Sequence, residues 1–186
     1  ANIERAGDVI PHIVSIDLKK RDKNTKKFLF PLNCPSCGSK TIKEYNFLTK
    51  RQDAVRRCTS EGYECEKVSI EKIKHFVSKD AFNIEGFGKK IVENFWKLNL
   101  IKLPQDIFKL DYDKIKKLDG WGKLSTDNLR YFVDEKRQIP LERLIYSLGI
   151  RHIGLENAKL LSRYFGSFQK FKTLSKNDNY KELLNI

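Results

Sequence analysis

Three features of the sequence predict a mainly helical fold with a small β part at its start. Apolar and β-branched residues crowd the first 18 positions, as they do in strands. All four cysteines lie between Cys34 and Cys65, which marks a compact module of its own. From Val68 onward, apolar residues recur every three to four positions, which is the helical period.

The charge balance of the chain predicts a polyanionic partner. The 186 residues include 37 Lys and Arg against 24 Asp and Glu, for a formal net charge of +13. An excess of this size points most often to a nucleic acid, and next to an anionic membrane surface. The sequence shows no bilayer-spanning apolar run and no basic amphipathic helix, so we expect no membrane partner. Thiols used as metal ligands, without a targeting segment, predict the cytoplasm. With a nucleic-acid partner we expect nucleoid association, and we expect a monomer.

The first residues predict strands. Val9, Ile10, Ile13 and Val14 favour extended backbone, and Pro11 indicates an edge or a bend. Because one or two strands do not make a stable sheet alone, we expect the end of a β domain whose beginning lies upstream. The basic run at residues 19–27 predicts a solvated hairpin loop, with a phosphate-contacting loop as the alternative.

The cysteines predict a structural zinc site. Cys34 and Cys37 form a Cys-Pro-Ser-Cys-Gly knuckle, and Cys58 and Cys65 follow as a second pair. This is the pattern of a tetrahedral thiolate site, closed to substrate and therefore structural. The alternatives are a redox Cys-x-x-Cys, which leaves the second pair unexplained, and two disulfides, which would require secretion.

The remainder of the chain is a repeat. Each copy has apolar residues, then a tight corner, then a new helix, and the corners start at residues 86, 120 and 152, with spacings of 34 and 32 residues. We call Gly86-Phe87-Gly88 the first corner, Gly120-Trp121-Gly122 the second and His152-Ile153-Gly154 the third. Leu183 and Ile186 have the spacing that precedes a corner, so a fourth corner would begin near residue 188. We expect the last helix, from about residue 180, to be frayed or to pack against a neighbouring molecule.

A glycine corner ahead of a helix is a small anion site. Its backbone N–H groups and the positive end of the helix dipole face outward, and amides that meet phosphate oxygen carry no base information. Basic residues follow or occupy the corners, in a pattern that resembles the helix-hairpin-helix module, which grips DNA without sequence preference. The alternative is a plain helical repeat with glycine turns. The candidate DNA-binding residues are Gly86, Phe87, Gly88, Lys89, Lys90, Gly120, Trp121, Gly122, Lys123, Arg151, His152 and Gly154.

The order of the segments resembles the C-terminal half of the bacterial NAD-dependent DNA ligases. The matching strings are AGDVIP at residues 6–11, CPSCGS at 34–39, IKHF at 73–76, the first two corners, and LGIRHIG at 148–154. In that family an adenylation domain is followed by an OB fold, a four-cysteine zinc finger, a four-copy helix-hairpin-helix domain and a BRCT domain. One departure is the spacing between Cys58 and Cys65, which is one residue longer than expected of the family.

The resemblance implies three segments: residues 1–32 as the end of an OB fold, 33–66 as the zinc finger, and 67–186 as helix-hairpin-helix repeats, with three hairpins and a truncated fourth. It implies a fragment that binds nicked duplex DNA during replication and repair. NAD and Mg²⁺ would serve the parent enzyme outside this fragment, which we expect to be inactive alone.

Two other functions compete with this interpretation. One is a zinc and helix-hairpin-helix module of a different repair or recombination protein, against which the AGDVIP segment argues. The other is an autonomous enzyme that uses Lys117, because residues 117–120 spell the Lys-x-Asp-Gly signature of nucleotidyltransferases. Leu118 and Gly120 are already explained as repeat positions, so we expect no catalytic residue in this chain.

Overall fold

The computed structural model describes residues 1–7, 10–47 and 49–174, and the chain divides into two compact units, Ala1–Leu32 and Asn33–Ile186. Within the described part of the chain, every helix is too short or too polar to cross a membrane. The predicted fourth repeat, with Leu183 and Ile186, lies outside the described residues.

The first unit is a two-stranded antiparallel sheet. Strand β1 (Asn2–Ala6) pairs with β2 (Ile10–Ser15), and Ile3 lies opposite Ile13. Both isoleucines are more than half exposed, and a sheet of only two strands offers them little apolar surface to pack against.

The predicted hairpin loop at residues 19–27 is wrong. A 3₁₀ helix, Leu18–Lys20, follows β2 instead, and the Asp17 side chain caps it by accepting a hydrogen bond from the Lys19 N–H. The described residues that follow, up to the first cysteine, form no strand, and β2 pairs with β1, the strand that precedes it. A hairpin requires a second strand to pair with, which a run of basic residues cannot provide by itself.

The second unit begins with the cysteine module, which is built on two short antiparallel ladders. Strand β3 (Thr41–Ile42) pairs with β6 (Arg57–Cys58), and β4 (Tyr45–Asn46) pairs with β5 (Arg51–Gln52). Strands of two residues bury almost no apolar surface, so this module depends on its cysteines for stability.

The described remainder is helical. The helices are α1 (Glu66–Phe76), α2 (Lys89–Lys97), α3 (Tyr112–Ile115), α4 (Lys123–Glu135), α5 (Leu141–Ser147), α6 (Leu155–Phe165) and α7 (Phe168–Leu174), with a 3₁₀ helix at Pro104–Lys109. The mainly helical fold with a small β part is therefore confirmed.

One apolar core joins α1 to α4. Ile73, Val92, Phe95, Ile107 and Ile115 are completely buried in it. Each such side chain contributes about 1.5–3 kcal/mol relative to leaving it exposed. The core holds the first two corners in place, because α2 and α4, the helices that follow them, both bury one face here.

Helix α5 is tied to the segment between α1 and the first corner by one arginine. The Arg143 guanidinium donates to the carbonyl oxygen of Ala81 at 2.7 Å, and also to that of Lys79. The His75 Nε2 atom on α1 lies 2.8 Å from the Tyr146 carbonyl oxygen, so His75 is a packed residue and not a metal ligand.

Candidate metal centre and nucleic-acid interface

The four cysteine sulfurs converge on one point. All four Sγ atoms of Cys34, Cys37, Cys58 and Cys65 lie within 4.8 Å of one another. The Cys34–Cys65 and Cys37–Cys58 separations are 3.9 and 3.4 Å. A zinc–sulfur distance of about 2.3 Å in a tetrahedron places the sulfurs about 3.8 Å apart, whereas a disulfide requires about 2.05 Å. The arrangement fits a four-coordinate metal such as zinc, and all four thiols are free in the structure.

Local backbone structure aims the four thiols. The Cys34 N–H donates to the Ser39 carbonyl oxygen at 2.7 Å, and the Gly38 N–H donates to the Cys34 carbonyl oxygen at 2.8 Å. Gly38 has a φ of 76°, which a residue with a side chain rarely adopts, and this closes the knuckle. Cys58 ends β6, and Cys65 is the residue from which α1 starts.

Ser69 does not cap the first helix, although serine is a common N-cap residue. It lies inside α1, fully buried, and its hydroxyl donates to the carbonyl oxygens of Tyr63 and Cys65 at 2.8 and 2.9 Å. The helix begins earlier because Cys65 occupies the N-cap position.

Electrostatics in the cysteine cluster favour a cation. Hydrogen bonds from the Ser39 side chain and backbone lower the pKa of Cys37 to about 6. A hydrogen bond from the Ser60 N–H lowers the pKa of Cys58, but desolvation and the neighbouring thiols outweigh it and raise that pKa to about 12. Thiolates this close repel one another, so holding all four deprotonated requires a positive ion between them.

The three corners have the same backbone turn. Their first residues, Gly86, Gly120 and His152, have φ values of 75°, 76° and 66°. His152 thus adopts the left-handed conformation that is unusual for a residue with a side chain. In each corner the middle residue donates its N–H three residues back, to the carbonyl oxygen of Ile84, Leu118 or Ile150, at 3.0–3.2 Å. The third corner, degenerate in sequence, is a full copy in geometry.

The last glycine of each corner starts a helix. Gly88, Gly122 and Gly154 are the N-caps of α2, α4 and α6, all with extended backbone. The first amides of a helix have no intrahelical acceptor, so they are available to an anion. A Cβ built at any of the three glycines would meet nothing within 4 Å, so each borders open space.

Side chains distinguish the corners. Phe87 is buried and Trp121 half-buried, with the Trp121 ring 5.5 Å from Phe95 in the core. Lys89, Lys90 and Lys123 are exposed at the helix starts of the first two corners. A cleft of about 480 Å³, lined by residues of both corners, lies between them. Of the predicted DNA-binding residues, Gly86, Gly120 and Trp121 line this cleft together.

Arg151, directly before the third corner, has partners that the sequence does not reveal. Its guanidinium pairs with the carboxylates of Glu44 and Asp53 in the cysteine module, the latter at 2.8 Å. Glu44 and Asp53 carry no signal in the sequence that sets them apart from other surface acids. Lys117 lies in a turn between α3 and the second corner, away from any strand.

Comparisons with known proteins agree with this geometry. Residues 143–186 match the family described as "Helix-hairpin-helix motif", so the C-terminal segment is a helix-hairpin-helix module. The third corner and α6 lie within this match.

The similarity to particular proteins covers almost the whole chain. It is 70% identical over 184 residues to a DNA ligase of Pelagibacter ubique, and 43% identical over 196 residues to one of Parvibaculum lavamentivorans. Each match covers 99% of this chain and 27% of the relative, so the chain spans about a quarter of the length of these curated relatives. The chain is highly similar to the C-terminal regions of DNA ligases, and the predicted resemblance is confirmed.

Proposed function

We propose that this chain is the DNA-binding C-terminal part of an NAD-dependent DNA ligase, which clamps nicked duplex DNA during nick sealing in replication and repair. The observation that carries the proposal is the shared turn of the three corners, each with a left-handed first residue and a helix that starts at its last glycine. The similarity to DNA ligases over the chain supports the assignment to a ligase.

The corners would hold phosphate groups in two ways. Backbone N–H groups at the starts of α2 and α4 donate to phosphate oxygens, with the helix dipoles adding attraction. Lys89, Lys90 and Lys123 lie beside those amides and add charge. Such contacts fix the position of the duplex but do not read its sequence. At the third corner, His152 and Gly154 present the same turn.

The cysteines would hold zinc as a scaffold. A metal bound by four thiolates has no open position, so it supplies folding free energy and no catalysis. Its role would be to fix the segment between Cys37 and Cys58 and to join this segment to α1 through Cys65.

The sealing chemistry would take place outside this chain. NAD and Mg²⁺ would be used by the adenylation domain of the parent enzyme, where a lysine takes up AMP. A nucleophile for this step needs a pocket that orients the nucleotide and stabilises charge on its phosphate. Lys117 lies in the turn ahead of the second corner and does not line the cleft between the first two corners.

A binding assay with unrelated sequences tests the proposal. Two labelled duplexes of equal length and different sequence, each intact or nicked, would be titrated with the chain. We expect affinities that agree within a factor of about two between sequences, since phosphates are the ligand. A strong preference for one sequence, or no binding to any duplex at low salt, would contradict the proposal.

A further inference from the structure

The residue before the left-handed position changes sign between the corners. It is Glu85 in the first corner, Asp119 in the second and Arg151 in the third. The turn itself is the same in all three, so geometry does not require a cation at this position. The reason for an arginine before the third corner must therefore be a contact outside the repeat.

Two carboxylates of the cysteine module provide that explanation. The Arg151 Nη2 atom lies 2.8 Å from the Asp53 Oδ2 atom, and Nη1 contacts the Glu44 Oε2 atom. These two acids are paired by the backbone, because the Asp53 N–H donates to the Glu44 carbonyl oxygen at 2.7 Å. They extend the β4–β5 ladder by one pair and form a two-pronged acceptor, which suits the planar fork of an arginine.

The charge around the third corner differs from that of the other two. Helix α6 opens with Leu155 and Glu156, where α2 and α4 open with lysines. Arg151 is matched by two carboxylates in contact with it. The third corner therefore lacks the free positive side chains that flank the first two.

The acidic pair lies in the segment that the cysteines close. Residues 38–57 run between Cys37 and Cys58, and the β3–β6 ladder pairs Thr41 with Cys58. The Arg56 Nε atom donates to the Thr41 hydroxyl at 3.1 Å and strengthens the base of the segment. Anything that fixes the sulfurs therefore restricts Glu44 and Asp53 as well.

We propose that Arg151 is a positioning residue that docks the third corner on the Glu44–Asp53 pair, so that metal binding and the placement of this corner are coupled. Its side chain is an anchor within the chain and not a phosphate ligand. The inference rests on the proposed zinc site. Its consequence is that the cysteine module serves DNA binding indirectly, by holding one hairpin in place.

The first test follows zinc release from the 186-residue chain to a chromogenic chelator. We compare Arg151→Gln, the pair Glu44→Gln with Asp53→Asn, and the combination of all three. Exposed ion pairs in a network are weak, so we expect release to be about threefold faster in Arg151→Gln. The combined variant should be no faster than the acid-pair variant, because Arg151→Gln removes nothing that the acid-pair change has not already removed. The acid-pair variant should be at least as fast as Arg151→Gln, since Asp53→Asn also removes the ion pair that Asp53 forms with Arg57 at 3.6 Å.

Two further variants sharpen this test. Arg163→Gln removes a positive charge from α6 of the same hairpin and should release zinc at the original rate. Arg151→Lys keeps the charge but loses the fork, so its rate should lie between those of the original chain and Arg151→Gln. Hydrogen exchange of the amides of residues 43–53 gives a second readout, which we expect to be faster in Arg151→Gln.

The DNA readout separates an anchor from a phosphate ligand. Loss of one phosphate contact makes the negative slope of log affinity against log salt shallower by about 0.9. We expect the slope to be unchanged in Arg151→Gln and to become shallower in Lys123→Gln. A shallower slope in Arg151→Gln would overturn the inference. Equal rates of zinc release and of hydrogen exchange in all variants would also overturn it. Either result would leave the proposed function in place. A chain that takes up no zinc would contradict both.

Discussion

The last glycine of the second corner offers a substitution that separates folding from binding. Gly122 is the N-cap of α4 with a φ of −125°, and a Cβ there would meet nothing within 4 Å. Threonine and glycine are similar N-caps, so Gly122→Thr should change the free energy of unfolding by less than about 0.5 kcal/mol. Its side chain would occupy the space proposed for a phosphate, where charge-assisted hydrogen bonds are worth about 1.5–3 kcal/mol each. The expected loss of DNA affinity is about tenfold to a hundredfold.

The assay is fluorescence anisotropy with a labelled nicked duplex, accompanied by urea unfolding of each variant. Lys123→Ala is the comparison, because it removes one exposed charge next to the same corner. Such a contact is worth about 0.2–1 kcal/mol, a loss of no more than about fivefold. If Gly122→Thr bound DNA within twofold of the original chain at unchanged stability, the amides of this corner would not be the phosphate site.

Three further predictions concern stability, metal and chemistry. Gly120→Ala should lower the free energy of unfolding by about 1–2 kcal/mol, measured in urea, because Gly120 has a φ of 76°; no loss would refute the strain argument. The purified chain should hold one equivalent of zinc by elemental analysis, and removing it should loosen residues 34–65 while leaving the later helices folded, as seen by hydrogen exchange; less than half an equivalent, with the thiols paired as disulfides, would refute this. Incubation with labelled NAD and Mg²⁺ should give no covalent adduct; a denaturation-resistant adduct that disappears in Lys117→Ala would make residues 117–120 an active site.

The local features of this protein were predictable because their signals are local. The cysteine spacing is enough to predict a four-thiol cluster, since a knuckle and a second pair can close only on one another. The corners were predictable from their period, and the period also placed His152 where the first two copies have glycine. Its φ of 66° shows that register in the repeat determines the backbone here, even against the preference of the residue.

The features that sequence reasoning missed depend on contacts distant in the chain. Arg151 and Asp53 are 98 residues apart, and nothing in either local sequence predicts their pairing. Charge predicts Arg151 as a DNA ligand, but charge alone cannot distinguish a phosphate from a carboxylate partner, so it could not reveal the contacts with Glu44 and Asp53. The start of α1 is likewise set by the cysteine cluster, since Cys65 occupies the N-cap position that serine usually fills.

The salt dependence of DNA binding shows whether the glycine corners hold DNA by its phosphates. Each phosphate neutralised contributes about 0.9 to the slope of log affinity against log salt on duplex DNA. With Lys89, Lys90 and Lys123 as contacts, we expect a slope of about −2.7 or steeper, the same for duplexes of unrelated sequence. An affinity that does not change between low and physiological salt would contradict phosphate binding at the glycine corners.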